Sequence, residues 1–197
     1  MNEDIFRILA AVIFFTGISI SIYFRSKADR ESGEKVSTKE ERRPIFLALR
    51  LGGLLIWFSP VAYMLNPAWM AWSRLGLAVW ARWLGAGIGI ICIFLIYWLF
   101  SSLGRGITPT VATRKEHELV TFGPYRWVRH PLYTVGTSFF LSLGLLVDSW
   151  FIIVLAVLAF VLLAIRTADE EAKLIEKFGD EYRRYMLRTG RFLPRLN

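Results

Sequence analysis

The sequence has little of the chemistry that soluble enzymes and metal proteins usually carry. Its 197 residues include one cysteine and two histidines, which excludes a disulfide framework and makes a zinc site improbable. The single Cys92 lies inside an apolar run, where a small packing residue is expected. Four motifs are also absent: GxGxxG, GxxxxGK(S/T), HExxH and GxSxG. We therefore expect neither a bound metal nor a common soluble-enzyme site.

Long apolar runs are what the sequence does contain. Hydrophobic residues make up 55% of the chain and aromatic residues 15%, too many for an ordinary soluble domain. Five uncharged runs approach or reach the roughly 17 to 25 residues of a spanning helix. They are residues 8–24, 51–65, 83–104, 131–147 and 149–165, the second extending to Ile45 if Arg50 snorkels. We predict an all-α fold, a polytopic membrane helical bundle of five transmembrane helices with a cytoplasmic carboxyl-terminal helical segment.

The basic residues indicate how such a bundle is oriented. The formal net charge is +8, and 20 of the 24 lysines and arginines lie in segments 25–43, 101–131 and 166–197. Because cytoplasmic loops are rich in Lys and Arg, we predict the amino terminus outside and the carboxyl terminus inside. This division favours contact with anionic membrane lipids rather than nucleic acid. We interpret residues 1–197 as a single membrane domain in which 25–43 is a mobile cytoplasmic loop.

Two short features predict how neighbouring helices pack. Gly85, Gly87 and Gly89 form a small-residue face in the third run, which favours close helix packing and leaves a ligand slot as the alternative. Asp148 and Ser149 separate the fourth and fifth runs, so these helices should form an antiparallel hairpin. That hairpin would bring "GPYRWVRHPLYT" beside "IRTADEEAKL" at one membrane edge.

The two segments carry polar and aromatic residues that can form a site. Arg166 and Glu170 are spaced i, i+4, so they share a helix face where the fifth run leaves the hydrocarbon. An intrahelical ion pair worth about 0.3 to 0.5 kcal/mol explains that spacing equally simply. Ionisable residues at membrane depth are otherwise functional candidates.

The other segment permits the same two interpretations. Pro131 suits the first position of a helix, and the free amides beside it can hold a carboxylate. Tyr125, Trp127 and Tyr133 offer aromatic faces for a purine or a cation, and His130 offers a hydrogen-bonding edge. Aromatics and arginines are equally typical of a lipid headgroup interface. The residues alone leave a ligand site and an interfacial belt open.

At these positions the sequence resembles the isoprenylcysteine carboxyl methyltransferase family, within the wider group that includes phospholipid N-methyltransferases. The resemblance covers roughly the carboxyl-terminal half of the chain. The spacing of all the motif residues taken together is specific for the family. The matching residues of the first segment are His117, Leu119, Val120, Gly123, Tyr125, Arg129, His130, Pro131 and Tyr133. Those of the second are Arg166, Glu170, Glu171, Phe178, Gly179, Glu181, Tyr182 and Pro194.

The resemblance implies S-adenosylmethionine as methyl donor, bound by residues of the half 101–197. The implied cofactor contacts are His117, Glu118, Leu119, Val120, Gly123, Tyr125, His130, Pro131, Leu132, Tyr133 and Glu171. It also implies that Arg166 and Glu170 are catalytic and face a lipophilic methyl acceptor that enters from the bilayer. A carboxylate acceptor needs no strong base, whereas an amine requires one, for which Glu170 is the candidate.

The sequence departs from the family in length and in one motif residue. Eukaryotic members typically have more transmembrane spans. Some members also have a glutamine shortly before the His-x-Leu-Val motif, whereas residues 106–116 of this chain contain none. We expect carboxyl O-methylation of an isoprenylcysteine-like or isoprenoid acid. The alternatives are N-methylation of a phospholipid amine, an NADPH-dependent enzyme resembling sterol reductases, and a non-catalytic lipid-binding membrane protein.

Overall fold

The computed structural model describes residues 3–32, 43–103 and 119–195. Within these ranges the chain forms α1 Glu3–Ser32, α2 Arg43–Leu65, α3 Val79–Leu103, α4 Pro131–Leu146, α5 Trp150–Phe178 and α6 Asp180–Arg188. Two 3-10 helices, Pro67–Ser73 and Gly123–Arg126, lie in the connections before α3 and α4. The described residues form no β-strand, only two isolated bridges. The all-α prediction is confirmed.

Among the residues that the structure describes, four helices are long and apolar enough to cross a membrane. The qualifying stretches are Glu3–Arg30, Leu47–Leu65, Val79–Leu103 and Trp150–Phe178. The helix α4 is also apolar but has 16 residues, fewer than the roughly 20 that a perpendicular crossing needs. The prediction of an integral membrane bundle is confirmed, whereas the predicted count of five transmembrane helices is not.

Two predicted boundaries are wrong. The loop placed at 25–43 begins too early, because α1 continues to Ser32. Its last turns contain Arg25, Lys27 and Ala28, which are good helix formers and need no apolar environment to stay helical. Residues 33–42 of that loop lie outside the described residues. The third apolar run, placed at 83–104, begins too late, because α3 already begins at Val79 and contains Arg82.

The hairpin predicted at Asp148 and Ser149 is confirmed, and both residues have a structural role. The Ser149 hydroxyl caps α5 by accepting a hydrogen bond from the Ile152 amide at 3.4 Å. The Asp148 carboxylate accepts hydrogen bonds from the amides of Leu77, at 2.9 Å, and Gly76, at 3.3 Å. The tip is therefore tied to the connection that leads into α3, so α3, α4 and α5 are held together at this end.

The glycine face of α3 is a packing surface at two of its three positions. A Cβ atom on Gly85 would lie 2.7 Å from the Leu146 nitrogen and the Ser142 oxygen of α4. At Gly89 it would lie 3.0 Å from Ile13 of α1, whereas at Gly87 it would meet nothing within 4 Å. The prediction of close packing is thus confirmed for Gly85 and Gly89 but is wrong for Gly87.

A partly buried polar cluster joins the helices at the hairpin end of the bundle. We call Glu3, Tyr63 and Arg82 the closed cluster, since they come from α1, α2 and α3 and bond to one another. Arg82 donates to both Glu3 carboxylate oxygens, at 3.0 and 3.2 Å, and to the Tyr63 hydroxyl at 2.9 Å. Its remaining nitrogen donates to the Leu146 carbonyl at 2.9 Å. Its guanidinium carbon lies 3.8 Å from the ring centroid of Phe6, so every polar part of the side chain has a partner.

Candidate functional site

The other end of the bundle brings together the first turn of α4 and the last part of α5. The Tyr133 hydroxyl lies within hydrogen-bond distance of both Glu170 carboxylate oxygens, at 2.7 and 2.9 Å. Arg166, one turn before Glu170 on α5, lines the same cavity as these two residues. We call Tyr133, Arg166 and Glu170 the open cluster, because they face a cavity. The hairpin therefore brings the two predicted segments into contact.

The cavity has a volume of about 300 Å³ and lies between α1, α2, α3, α4 and α5. Most of its wall is apolar or aromatic. The lining residues are Gly17, Ser21, Arg25, Trp57, Ile96, Phe100, Leu132, Tyr133, Gly136, Phe139, Phe140, Leu163, Arg166 and Glu170. An apolar enclosure with a few convergent polar groups is typical of a binding site for a lipophilic ligand.

His130 lies between two carboxylates of α5. Its Nδ1 atom is 3.6 Å from Glu170, and its Nε2 atom is 3.4 Å from Glu171. Its ring stacks on Tyr133, with centroids 5.6 Å apart and an interplanar angle of 13°. Within the described parts of the chain the buried Nε2 atom completes no hydrogen bond. His130 therefore links the open cluster to Glu171.

Glu171 is held by two arginines. Its side chain is only 3% exposed, and Arg129 Nε donates to one of its carboxylate oxygens at 2.8 Å. Arg191, beyond α6, donates to the other oxygen. Arg129 also donates to the backbone carbonyls of Met186 and Thr189. This arrangement fixes the residues after α6 against α4 and α5.

The residues after α6 pair with the chain just before α4. Gly190 forms a parallel bridge with Val128. The Arg129 amide donates to Gly190 at 2.9 Å, and the His130 amide donates to the Arg191 carbonyl at 3.0 Å. The His130 amide, next to Pro131 at the start of α4, is thus occupied by the protein itself. The prediction of free amides at this helix start is wrong at that position.

The 3-10 helix Gly123–Arg126 is buried against α3 and α6. Gly123 has a φ of +59°, a backbone conformation that favours glycine. A Cβ atom at this position would also overlap the Ser102 side chain. The Tyr185 hydroxyl donates to the Tyr125 carbonyl at 2.6 Å. Burial raises the pKa of the Tyr125 and Tyr185 phenols, and both therefore stay neutral at physiological pH.

Tyr182 adds a second buried polar atom. Its hydroxyl has no hydrogen-bond partner among the residues that the structure describes. Burial, together with the nearby Glu171 charge, raises its pKa, so it remains a neutral donor. The buried Tyr182 hydroxyl and His130 Nε2 are atoms that a polar ligand can satisfy.

The structure places the predicted site residues at several positions around the cavity. Leu132, Tyr133, Arg166 and Glu170 line the cavity. Pro131, His130 and Glu171 follow the same edge, and Gly123 and Tyr125 lie in the buried 3-10 helix beside it. Leu119 and Val120 are half-buried, whereas His117 and Glu118 lie outside the described residues.

Sequence reasoning missed the contribution of α1 and the role of Arg191 beyond α6. Ser21 and Arg25 line the cavity from α1, and Arg191 binds Glu171. Arg25 directly follows an apolar run, a position that favours a snorkelling interpretation. No local signal indicates that its helix packs opposite Glu170. The described residues hold no group of three or more potential metal ligands.

Several curated proteins are similar to part of this chain. The nickel-cobalt-cadmium resistance protein NccN of Alcaligenes xylosoxydans xylosoxydans is 36% identical over 87 residues, or 44% of this chain and 41% of that protein. Methanethiol S-methyltransferase of Pseudomonas deceptionensis is 32% identical over 139 residues, or 65% of this chain and 50% of that protein. Protein-S-isoprenylcysteine O-methyltransferase of Mus musculus is 41% identical over 96 residues, or 46% of this chain and 33% of that protein. The match thus spans at most half the length of these relatives.

The fold is similar to that of a solved membrane protein, the eukaryotic intramembrane Ras methyltransferase ICMT, isoprenylcysteine carboxyl methyltransferase. The superposition has a TM-score of 0.57 and covers 94% of this chain and 67% of that one, at 19% identity. At this identity the likeness establishes the fold alone. The family model described as phospholipid methyltransferase matches residues 80–181, more than half of the 197 residues. This chain therefore belongs to the phospholipid methyltransferase family.

Proposed function

We propose that this protein is an S-adenosylmethionine-dependent methyltransferase that methylates the carboxylate of a lipophilic acid, such as an isoprenylcysteine-like or isoprenoid acid. The observation that carries the proposal is the cavity of about 300 Å³, in which Arg166, Glu170 and Tyr133 meet an apolar wall. The apolar wall suits the lipophilic part of the acceptor, and Arg166 suits its carboxylate. Family membership supports the methyl-transfer chemistry.

The cofactor would lie beside this cavity, along the edge that contains His130 and the residues around α6. His130 Nε2 and the Tyr182 hydroxyl are buried polar atoms that a bound cofactor can satisfy. Leu119, Val120 and Tyr125 would complete the apolar and aromatic part of that site, with Gly123 and Pro131 shaping its backbone. His117, Glu118 and Leu132 remain proposed contacts from the family resemblance.

When bound, S-adenosylmethionine supplies a methyl group on a sulfonium sulfur. Transfer of this methyl group to a carboxylate forms a C–O bond as the C–S bond breaks, and no proton is released. The chain's own residues then have positioning roles. Arg166 would orient the acceptor carboxylate. Tyr133 fixes the Glu170 carboxylate through its hydrogen bonds, and Glu170 would set the position of the reacting groups. Glu171 would contribute by holding Arg129 and Arg191 around the cofactor edge.

The test uses protein purified into lipid nanodiscs. We expect calorimetric titration to detect binding of S-adenosylmethionine but not NADPH. We also expect radiolabelled methyl transfer to farnesoic acid, giving a product that releases labelled methanol in mild alkali, as a methyl ester does. A base-stable labelled lipid would indicate an amine acceptor instead. Binding of NADPH alone would overturn the methyltransferase proposal, and donor binding without transfer would favour a non-catalytic lipid-binding protein.

We also propose that the site end faces the cytoplasm, because most Lys and Arg lie in the segments at that end. The same charges would contact anionic lipids. Leu187 of α6 is 71% exposed and suits a reporter cysteine. A membrane-impermeant maleimide should label Leu187→Cys in inverted vesicles but not in intact cells. Labelling in intact cells would reverse the proposed orientation.

A further inference from the structure

One face of α1 forms part of the wall of the cavity. Gly17, Ser21 and Arg25 all line the cavity and are spaced four residues apart, which places them on one helical face. Gly17 packs closely against α4, since a Cβ atom there would lie 2.8 Å from the Phe139 ring. The close approach at Gly17 brings the polar residues of the same face against the cavity.

Arg25 is held in that wall by its neighbours. Its Nε atom donates to the Ser21 hydroxyl at 3.2 Å. Its guanidinium carbon lies 5.6 Å from the ring centroid of Phe100, which also lines the cavity. It is half-buried, within electrostatic range of both the Tyr133 hydroxyl and Asp29. A side chain that simply extended into the headgroups would not line a cavity beside an aromatic ring.

The charges that line the cavity are unequal. Arg25 and Arg166 contribute two positive charges, and Glu170 contributes one negative charge. Burying a carboxylate in an apolar cavity costs free energy unless cations compensate its charge. The negative charge of Glu170 repels the carboxylate of an acidic acceptor in the same cavity. With two arginines the enclosure keeps a net positive charge when Glu170 is ionised. This balance suits an anionic acceptor better than a cationic one.

We propose that Arg25 is a specificity-determining residue that pairs with the carboxylate of the lipophilic acceptor from the α1 part of the cavity wall, in addition to Arg166. The proposal rests on the function proposed above, and it extends the site to the amino-terminal half of the chain. Arg25 selects the charge of the acceptor headgroup, and the apolar wall accommodates its hydrocarbon.

The experiment measures binding rather than turnover. Farnesoic acid, farnesol and farnesylamine share one hydrocarbon and carry an anionic, neutral or cationic headgroup. Their dissociation constants are measured on protein in nanodiscs of neutral lipid, without a methyl donor. We expect the wild type to prefer farnesoic acid over farnesol by at least tenfold. Arg25→Gln and Arg25→Met should reduce this preference on the order of tenfold, with farnesol binding within about twofold of wild type.

Two comparisons separate charge recognition from damage to the fold. Arg25→Lys keeps the charge and should retain most of the preference. Lys27→Gln removes the same charge from an exposed position of α1 outside the cavity wall, and should leave the preference unchanged. If one neutral variant of Arg25 does not fold, as judged by its thermal unfolding, the other supplies the measurement.

An undiminished preference for the acid in a folded Arg25→Gln or Arg25→Met protein would overturn the inference. So would weakened S-adenosylmethionine binding with unchanged acid binding, which would assign Arg25 to the donor. The proposed function fails differently. Methyl transfer without dependence of acid binding on Arg25 refutes only this inference, whereas acid selectivity without any methyl transfer refutes only the proposed enzyme activity.

Discussion

The closed and open clusters lie at opposite ends of the helical bundle and use the same residue types differently. In the closed cluster every polar group of Arg82 has a partner within the protein, and the residue is 8% exposed. In the open cluster Tyr133, Arg166 and Glu170 face a cavity of about 300 Å³. At one end, an arginine, a glutamate and a tyrosine bond to one another and hold the helices together. At the other end, a second set of the same residue types lines a cavity that can hold a ligand.

The difference indicates where each cluster contributes. A buried polar network whose members all satisfy one another rigidifies the fold, and removing one member leaves its partners unsatisfied. Polar groups around a cavity contribute less to stability but are available for a ligand. We therefore expect substitutions in the closed cluster to change the free energy of unfolding, and substitutions in the open cluster to change activity.

The largest expected effect is on catalysis at Glu170. Glu170→Ala should lower the rate of methyl transfer to farnesoic acid on the order of 10² to 10³ fold, because the reacting groups lose their positioning residue. Its thermal unfolding should stay close to that of wild type. Glu176→Ala is the matched control, since Glu176 is exposed on the same helix. Undiminished turnover in Glu170→Ala would remove Glu170 from the site.

The next effect is on stability at Arg82. Arg82→Met keeps the apolar stem but removes the donor to the Leu146 carbonyl and two hydrogen bonds to Glu3, which keeps Tyr63 and Arg74 as donors. This loss should cost about 2 to 3 kcal/mol of unfolding free energy. We expect the unfolding midpoint in detergent to fall by about 5 to 10 °C, measured by circular dichroism. Methyl transfer per folded molecule should remain within about twofold of wild type. A loss of activity without a loss of stability would contradict the division between the two clusters.

A smaller effect is expected at the close contact between α3 and α4 around Gly85. Gly85→Ala should destabilise the protein by about 1 to 3 kcal/mol, because its new Cβ atom would meet backbone atoms of α4 at 2.7 Å. Gly87→Ala is the matched control on the same helix, where a Cβ atom has open space. Gly87→Ala should be neutral or stabilising by up to about 1 kcal/mol, since alanine favours the helix. Equal unfolding midpoints for the two variants would argue against this packing.

The smallest effect is expected at Tyr133. Tyr133→Phe removes the hydroxyl that bonds to Glu170 at 2.7 and 2.9 Å but keeps the ring stacked on His130. The loss of one hydrogen bond predicts a decrease of about tenfold in methyl transfer and no measurable change in fold. A decrease as large as that of Glu170→Ala would indicate that Tyr133 itself contacts the reacting groups.

Much of the open cluster could be predicted because its residues lie on the two helices of one hairpin. Asp148 and Ser149 are a local turn signal, and a hairpin places Tyr133 near Glu170 without further information. The glycines at Gly85 and Gly89 likewise carry a local signal for close packing, although periodicity alone could not exclude Gly87. Each of these features has a signal within a short stretch of sequence, although the contacts that it produces join distant residues.

The rest depends on contacts between residues far apart in sequence. Arg25 reaches the cavity from the first helix, and Arg82 bonds to Glu3 across more than seventy residues. In sequence both arginines lie at the edge of an apolar run, where snorkelling is the simplest explanation. Gly190 pairs with Val128 through the backbone, which leaves no side-chain signal at all. Such contacts follow from the assembled bundle and not from any segment alone.

The shortness of α4 has a consequence for the surrounding lipid. Its 16 residues span about 24 Å, whereas the hydrocarbon of a typical bilayer is about 30 Å thick. A bilayer that meets a short apolar helix thins locally, at a modest energetic cost. Beside α4 the headgroup boundary is therefore expected to dip toward Tyr133. An acid carried in that leaflet would reach the cavity mouth with its polar end still hydrated, and its hydrocarbon would never have to leave the membrane.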